Sequence, residues 1–408
     1  MRHDESALRL SGGKPLRGEV RINTAKNSVL YLILASLLCK ETLVLKNVAK
    51  LRDVLTLLEI MAYFGVKVSW QGRDLYLNAA SVERCEAPYE LVGKMRASFV
   101  ALGALVGRCG SARISMPGGC AFGPRPVDRH IKAFRQLGLE ISELDGDFFA
   151  ERSQPLRGRV VFDAPTVGGT QNVILASALG EGEVVIENAA LEPEVADLIF
   201  MLNAMGAKIR GAGTARIDIT GVKELHGTNY RAVPDRIEAG TFMLAAAATR
   251  GHIILHDVDP GHLRAITAKL AESGVKVLEL SPTTLAVDAT AELKPTDVTA
   301  VEYPGVPTDL QAPFGAFLAT VPGVSAVTDH VYPDRFTHVG ELARTGASLE
   351  LRDRTLVIRG GELHGAKMHA ADIRAGSALV VAALAAKGES TITGTAYLER
   401  GYEHLPAR

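Results

Sequence analysis

Six times along this chain a run rich in Ala and Leu ends at or near a glycine and passes into β-branched residues. The copies read LASLLCKETLVL, ALGALVGRCGSARI, LASALGEGEVVI, LAAAATRGHIIL, AFLATVPGVSAV and VAALAAKGESTI. They recur at intervals of about 70 residues, longer than the usual solenoid unit and long enough for a subdomain. Glycine or a polar break at the end of each run suits a helix C-cap, and the Val, Ile, Leu and Thr that follow suit a strand. After most strands comes a second helix ending in glycine and another strand: YFGVKVSW, QLGLEISEL, AMGAKIRG, ESGVKVLEL and RTGASLEL. Leu-x-Gly segments at 16–20, 156–160, 225–229 and 363–367 mark further strands. One unit therefore reads strand, helix, strand, helix, strand, strand, an α/β pattern repeated six times.

The sixth unit is short. Past Gly401, Tyr402 and Glu403 the chain reads HLPAR, without a second helix or third strand, while residues 8–22 supply a strand pair with no unit before it. The pair is expected to complete the sixth unit. One domain is then discontinuous, 1–25 with 234–408, against a continuous domain over 26–233.

A length of 408 residues agrees with two domains, and 47% apolar residues suffice for large cores. A net charge of −1 leaves no global basic field for nucleic acid or an anionic membrane, so an anionic partner needs a local cluster of Lys and Arg. The start MRHDE is too polar for a leader, and the apolar run at 30–39 is too short to span a bilayer. The four cysteines, Cys39, Cys85, Cys109 and Cys120, lack CxxC spacing, which points to a cytoplasmic protein with free thiols. No zinc, Walker or paired Cys/His motif is present, so neither a metal nor a cofactor is expected.

Candidate chemistry falls at two places in each unit. At the start of the first helix stand Lys26 and Asn27, Arg96, Val167 and Gly168, Asp235 and Arg236, Asp309, and Asp372 and Arg374. In the loop before the second helix stand Lys50 and Asp53, the segment 120–128, Glu192 and Glu194, Asp259, Asp334 and Arg335, and Glu399 and Arg400. Helix N-termini attract anions, and neighbouring Arg adds a bidentate grip on phosphate or carboxylate. Capping and solvated surface charge would account for any one of these residues; recurrence in register across units weighs against that account for the set. The loop MPGGCAFGPRPVD (116–128) packs three Gly and three Pro around Cys120, with Arg125 near enough in sequence to activate the thiol. His130, His256 and His338 are assigned ordinary surface or packing roles.

The segments AKNS (25–28), MRAS (95–98), PGGCAFGPRPVD (117–128), ENAALEPEVAD (187–197), PDRIEAGTF (234–242), PTDLQA (307–312), DRFTHV (334–339), ADIRA (371–375) and ERGYE (399–403) resemble the enolpyruvyl transferase superfamily. The cysteine loop narrows the resemblance to the UDP-N-acetylglucosamine 1-carboxyvinyltransferases, because the shikimate-pathway sister enzymes lack it. The resemblance implies a two-domain inside-out α/β barrel of six pseudo-symmetric units, with helices inside, sheets outside and an active site between the domains. It also implies phosphoenolpyruvate and UDP-N-acetylglucosamine as substrates, the first committed step of peptidoglycan synthesis, and alkylation by fosfomycin.

Residue by residue, the resemblance places Lys26, Arg125 and Arg400 at the phosphoenolpyruvate phosphate, and Arg335 and Arg374 near its carboxylate. Arg96 matches another cleft arginine. Asn27, Pro126, Val127, Asp128, Thr166, Val167, Gly168, Asp309 and Val331 match sugar or nucleotide contacts, and Asp372 is counted with the substrate-binding positions. Cys120 matches the proton donor and Asp309 the base at the sugar 3′-hydroxyl. Read from the residues alone, Asp309 would equally be the N-cap of the fifth unit's first helix. Asn23 and Thr24 replace the family's usual Ser-Gly, Tyr31 a usual Pro, and Pro333 and Asp334 a usual Glu-Asn.

Overall fold

The computed structural model describes residues 7–87, 89, 99–115 and 127–408. It divides into two compact units, Met1–Asn23 with Pro234–Arg408, and Thr24–Val233, each with its own apolar core.

The described residues form α/β structure with six small sheets. Five share one plan. A leading strand runs parallel to a second, the second runs antiparallel to a third, and the third closes a hairpin with the fourth. In one, Glu86–Ala87 pairs with Ser111–Ser115, which pairs with Asp147–Glu151, which pairs with Glu140–Leu144. In the Thr24–Val233 unit the chain closes on itself: Asn229–Tyr230, at the end of the unit, is the leading strand beside Thr42–Leu45 at its start.

The N-terminal strand pair departs from expectation. Only Leu8–Gly12 joins the sixth repeat, antiparallel to Gly388–Thr393. Arg17–Arg21 instead leads the sheet of the fourth repeat, parallel to His252–His256. The two strands part at a Gly-Gly step: a Cβ at Gly12 would fall 2.1 Å from the carbonyl oxygen of Ala383, and Gly13 takes φ +80°. The sheet Leu8–Gly12, Gly388–Thr393, Lys367–His369 has three strands among the described residues.

The Ala/Leu runs form helices buried on nearly every face. In Ile373–Ala385, every residue from Ile373 to Ala383 is buried. Such a helix needs apolar or small side chains all round, which the composition provides. By contrast Asp128–Gln136 buries only Ile131, Ala133 and Phe134. Several helices end as the sequence indicates: Gly65 and Gly110 occupy left-handed C-caps at φ +101° and +80°. No helix among the described residues is long and apolar enough to cross a membrane.

The expectation of free thiols fails for two cysteines. Cys85 and Cys109 form a disulfide, with Cα atoms 6.6 Å apart. Cys109 ends the helix Ala101–Cys109, and the strand after it draws in the Cys85 backbone through Arg113 N–H donating to Cys85 O, 3.0 Å. The pairing is made by sheet formation, which sequence spacing does not report. Cys39 is free and buried.

Candidate active site

In the unit containing Pro234–Arg408, three of the expected residues converge. Thr308–Leu310 forms a short 3₁₀ turn whose N-cap position is held by Pro307, so Asp309 lies within the first turn rather than capping it. Its Oδ1 accepts from Nε of Arg374 at 2.7 Å and lies 3.2 Å from Nη2 of Arg335. Both guanidinium side chains are buried, at 7% and 8% exposure, while Asp309 keeps 22%. Burial alone would lower the Arg374 pKa, but Asp309, with Tyr402 and Asp235, outweighs it and holds the guanidinium above its ordinary value.

The neighbours of this trio are fixed by helix and turn geometry. Asp372 is the N-cap of Ile373–Ala385: its Oδ1 accepts the N–H groups of Arg374 and Ala375 at 2.7 and 3.0 Å, and its Oδ2 accepts from Thr337 at 2.7 Å. It thus sets where Arg374 leaves the helix. Val331 donates its N–H to Asp329. Arg400 ends the 3₁₀ segment Thr395–Arg400 and is partly buried. That segment packs on the same helix, where a Cβ at Gly376 would sit 3.0 Å from Leu398.

In the Thr24–Val233 unit, Lys26 and Asn27 open the helix Lys26–Ala35. Nζ of Lys26 pairs with Asp53 at 3.1 Å, both side chains nearly buried. The start of this helix is anchored by Ser28, which donates to buried Asp197; Asp197 also accepts from Tyr230 at 2.7 Å. Thr166 caps Val167–Ser177 by accepting the N–H of Gly169 at 3.3 Å. Val167 and Gly168 form a partly exposed first turn. A Cβ at Gly168 would lie 3.2 Å from the His130 ring, so the Asp128–Gln136 helix, which begins with Asp128 after Val127, packs beside this turn. The N–H groups of a helix start suit an anion. Arg96, Cys120, Arg125 and Pro126 lie outside the described residues.

The histidines have structural partners. His130 bonds Asn172 at 2.9 Å, His256 pairs with Glu19, and His338 is stacked on Phe336 in the core. Two of the sequence departures are bonded in place: Asn23 donates through its backbone and side chain to Glu238, at 2.7 and 3.1 Å, and Thr24 donates to Asn47 O at 3.1 Å. Among the described residues no group of three or more His, Cys, Asp or Glu is arranged to hold a metal ion.

The model of the EPSP synthase (3-phosphoshikimate 1-carboxyvinyltransferase) family matches residues 10–408. The chain belongs to this family. Within it, a UDP-N-acetylglucosamine 1-carboxyvinyltransferase of Thermus thermophilus is 55% identical over 401 residues, 98% of this chain and 94% of the relative. One of Deinococcus radiodurans is 53% identical over 403 residues, again 98% and 94%. The enolpyruvyl transferase NikO from Streptomyces tendae superposes with a TM-score of 0.87 at 25% identity, covering 98% of this chain and 96% of that one. An EPSP synthase from Acinetobacter baumannii shares the fold, with a TM-score of 0.74 at 18% identity over 97% and 95% of the two chains.

For this EPSP synthase-family chain, sequence reading missed Asp329. It is fully buried, ends the strand Gly323–Asp329 and binds both the Val331 turn and the Thr308 hydroxyl. An Asp closing a β-branched strand before a turn is a weak local signal that a turn N–H is being capped. The tie to Thr308 has no local signal at all.

Proposed function

We propose that this chain transfers the enolpyruvyl group of phosphoenolpyruvate to the 3′-hydroxyl of UDP-N-acetylglucosamine with release of phosphate, the first committed step of peptidoglycan synthesis, in the cytoplasm. The observation that carries the reading is the Asp309 carboxylate held between Arg335 and Arg374, in a chain whose near relatives bear that activity in their names. The proposed scaffold is an inside-out α/β barrel of six pseudo-symmetric units in two domains, 26–233 and 1–25 with 234–408.

The chemistry follows from the residue types. Phosphoenolpyruvate brings a phosphate and a carboxylate, and the sugar nucleotide a diphosphate, so fixed cations are required. Lys26, Arg125 and Arg400 are assigned to the phosphate, and Arg335 and Arg374 to the carboxylate. Arg96, Asn27, Pro126, Val127, Asp128, Thr166, Val167, Gly168, Val331 and Asp372 serve binding. Cys120 donates a proton to C3 of the enol, cationic character builds at C2, and the 3′-hydroxyl attacks C2 as Asp309 takes its proton. Loss of a proton from C3 then expels phosphate and restores the double bond. Asp309 is already paired with the arginines assigned to the substrate carboxylate. Phosphoenolpyruvate would take over that pairing and turn the Asp309 oxygen toward the hydroxyl.

Transfer to shikimate 3-phosphate is the second reading, since the family's name describes it. Phosphate release from phosphoenolpyruvate, measured with each acceptor, decides: release with UDP-N-acetylglucosamine supports the proposal, and release only with shikimate 3-phosphate overturns it.

A further inference from the structure

Asp329 has no exposed surface, and its carboxylate is held by two backbone N–H groups and a hydroxyl. Its Oδ1 accepts the backbone N–H groups of Val331 and Tyr332, each at 2.8 Å. Its Oδ2 accepts the Thr308 hydroxyl at 2.6 Å. A hydroxyl has one proton. With that proton given to Asp329, the lone pairs of Thr308 Oγ1 are left for Nη1 of Arg335, 3.1 Å away. The other terminal nitrogen of Arg335 is the one 3.2 Å from Asp309. Arg335 therefore straddles two consecutive residues with its fork, one bond fixed through Asp329 and the other made to the proposed base. The same Asp329 carboxylate folds the turn carrying Val331, and Arg335 N–H closes that turn on Tyr332 O at 3.0 Å.

We propose that Asp329, acting through the Thr308 hydroxyl, is the positioning residue that aims Arg335 at the phosphoenolpyruvate carboxylate. The direction of each bond is what matters. Arg335 only donates, so Thr308 Oγ1 accepts from it and turns its own proton to the Asp329 oxygen, which accepts it. Asn at position 329 could still accept the two turn N–H groups through its oxygen. Its amide nitrogen would then donate to Thr308, so the hydroxyl proton would lose its acceptor and the amide and Arg335 would share the oxygen's two lone pairs. The inference rests on the assignment of Arg335 to the substrate carboxylate.

The test is steady-state phosphate release by the full chain at saturating UDP-N-acetylglucosamine, with phosphoenolpyruvate varied. Thr308→Val, nearly isosteric but without the hydroxyl, and Asp329→Asn should each raise the phosphoenolpyruvate KM about tenfold, the scale of losing a hydrogen bond to a charged group. Turnover should stay within about threefold, because a binding contact rather than a transition-state contact is lost. Thr308→Ser restores the hydroxyl and should restore the KM. Arg335→Lys separates the two layers of the argument. If Arg335→Lys raises the KM and Thr308→Val does not, the positioning role is overturned. If Arg335→Lys itself leaves the KM unchanged, the carboxylate assignment beneath it falls. Asp329 is buried on every side, so the Val and Ser pair at 308 decides the matter should Asp329→Asn be unstable.

Discussion

Oδ1 of Asp309 accepts a hydrogen bond from Nε of Arg374 at 2.7 Å, across 65 residues of sequence. This ion pair changes what a substitution at Asp309 means. A carboxylate serving only as a helix cap would be replaced by Asn at little cost. A carboxylate shared by two buried guanidinium groups would not.

Asp309→Asn should therefore lower turnover by about a hundredfold or more, the scale of losing a general base. It should also destabilise the unliganded protein by about 1 to 3 kcal/mol, because the Asp309 charge no longer offsets the buried charges of Arg374 and Arg335. Kinetics and a thermal melt on the same sample check both. Unchanged turnover would remove Asp309 from the chemistry and leave it as an ion-pair partner.

Cys120 should be the reactive thiol under non-reducing conditions. Cys85 and Cys109 are joined, and burial pushes the Cys39 thiol above its ordinary pKa. Peptide mapping after fosfomycin treatment should find the adduct on Cys120, and more of it with UDP-N-acetylglucosamine present. Loss of activity with modification at Cys39 alone would overturn the assignment. The same map, without reductant, should recover Cys85 and Cys109 in one linked species.

Arg125→Lys and Arg400→Lys each keep the charge and lose the planar fork. If both residues grip phosphate bidentately, kcat/KM for phosphoenolpyruvate should fall about tenfold or more in each, about 1.4 kcal/mol of lost stabilisation. Wild-type kinetics in both variants would reduce the two residues to surface charge.

His338 gives a pH dependence of stability. It is 1% exposed, and burial pushes its pKa down to about 4 against the pull of Asp372. The folded chain keeps this ring neutral down to about that pH, whereas the unfolded chain binds a proton near the ordinary value of 6.5. Unfolding thus takes up a proton between those two values, and stability falls as the pH drops through that window. Denaturant titrations at about pH 7.5 and about pH 5 should show His338→Gln losing about 2 kcal/mol less between the two than the unaltered chain. Equal losses in both would place the ring's titration elsewhere.

Much of the fold was legible because its cause is local. A helix that must be buried all round needs Ala, Leu and Val on every face, and Ile373–Ala385 has them in its sequence. A helix that ends in a left-handed turn needs glycine, and Gly65 and Gly110 stand there. The types of residue needed for polyanion chemistry were legible too, since Lys and Arg at repeated helix starts are visible without coordinates. Partner choice was not. Asp309 in its sequence context reads as a cap as readily as a base, and only the chain path brings Arg374 and Arg335 to its oxygen. Residues 8–22 read as one strand pair, but two different sheets take the two strands. Cys85 and Cys109 read as free thiols until the strand after Cys109 pairs beside Cys85. Periodicity and capping act over one or two turns of backbone, so sequence alone determines them. Ion pairs, disulfides and strand partners depend on which distant segments the cores draw together, and for this chain that was decided only in three dimensions.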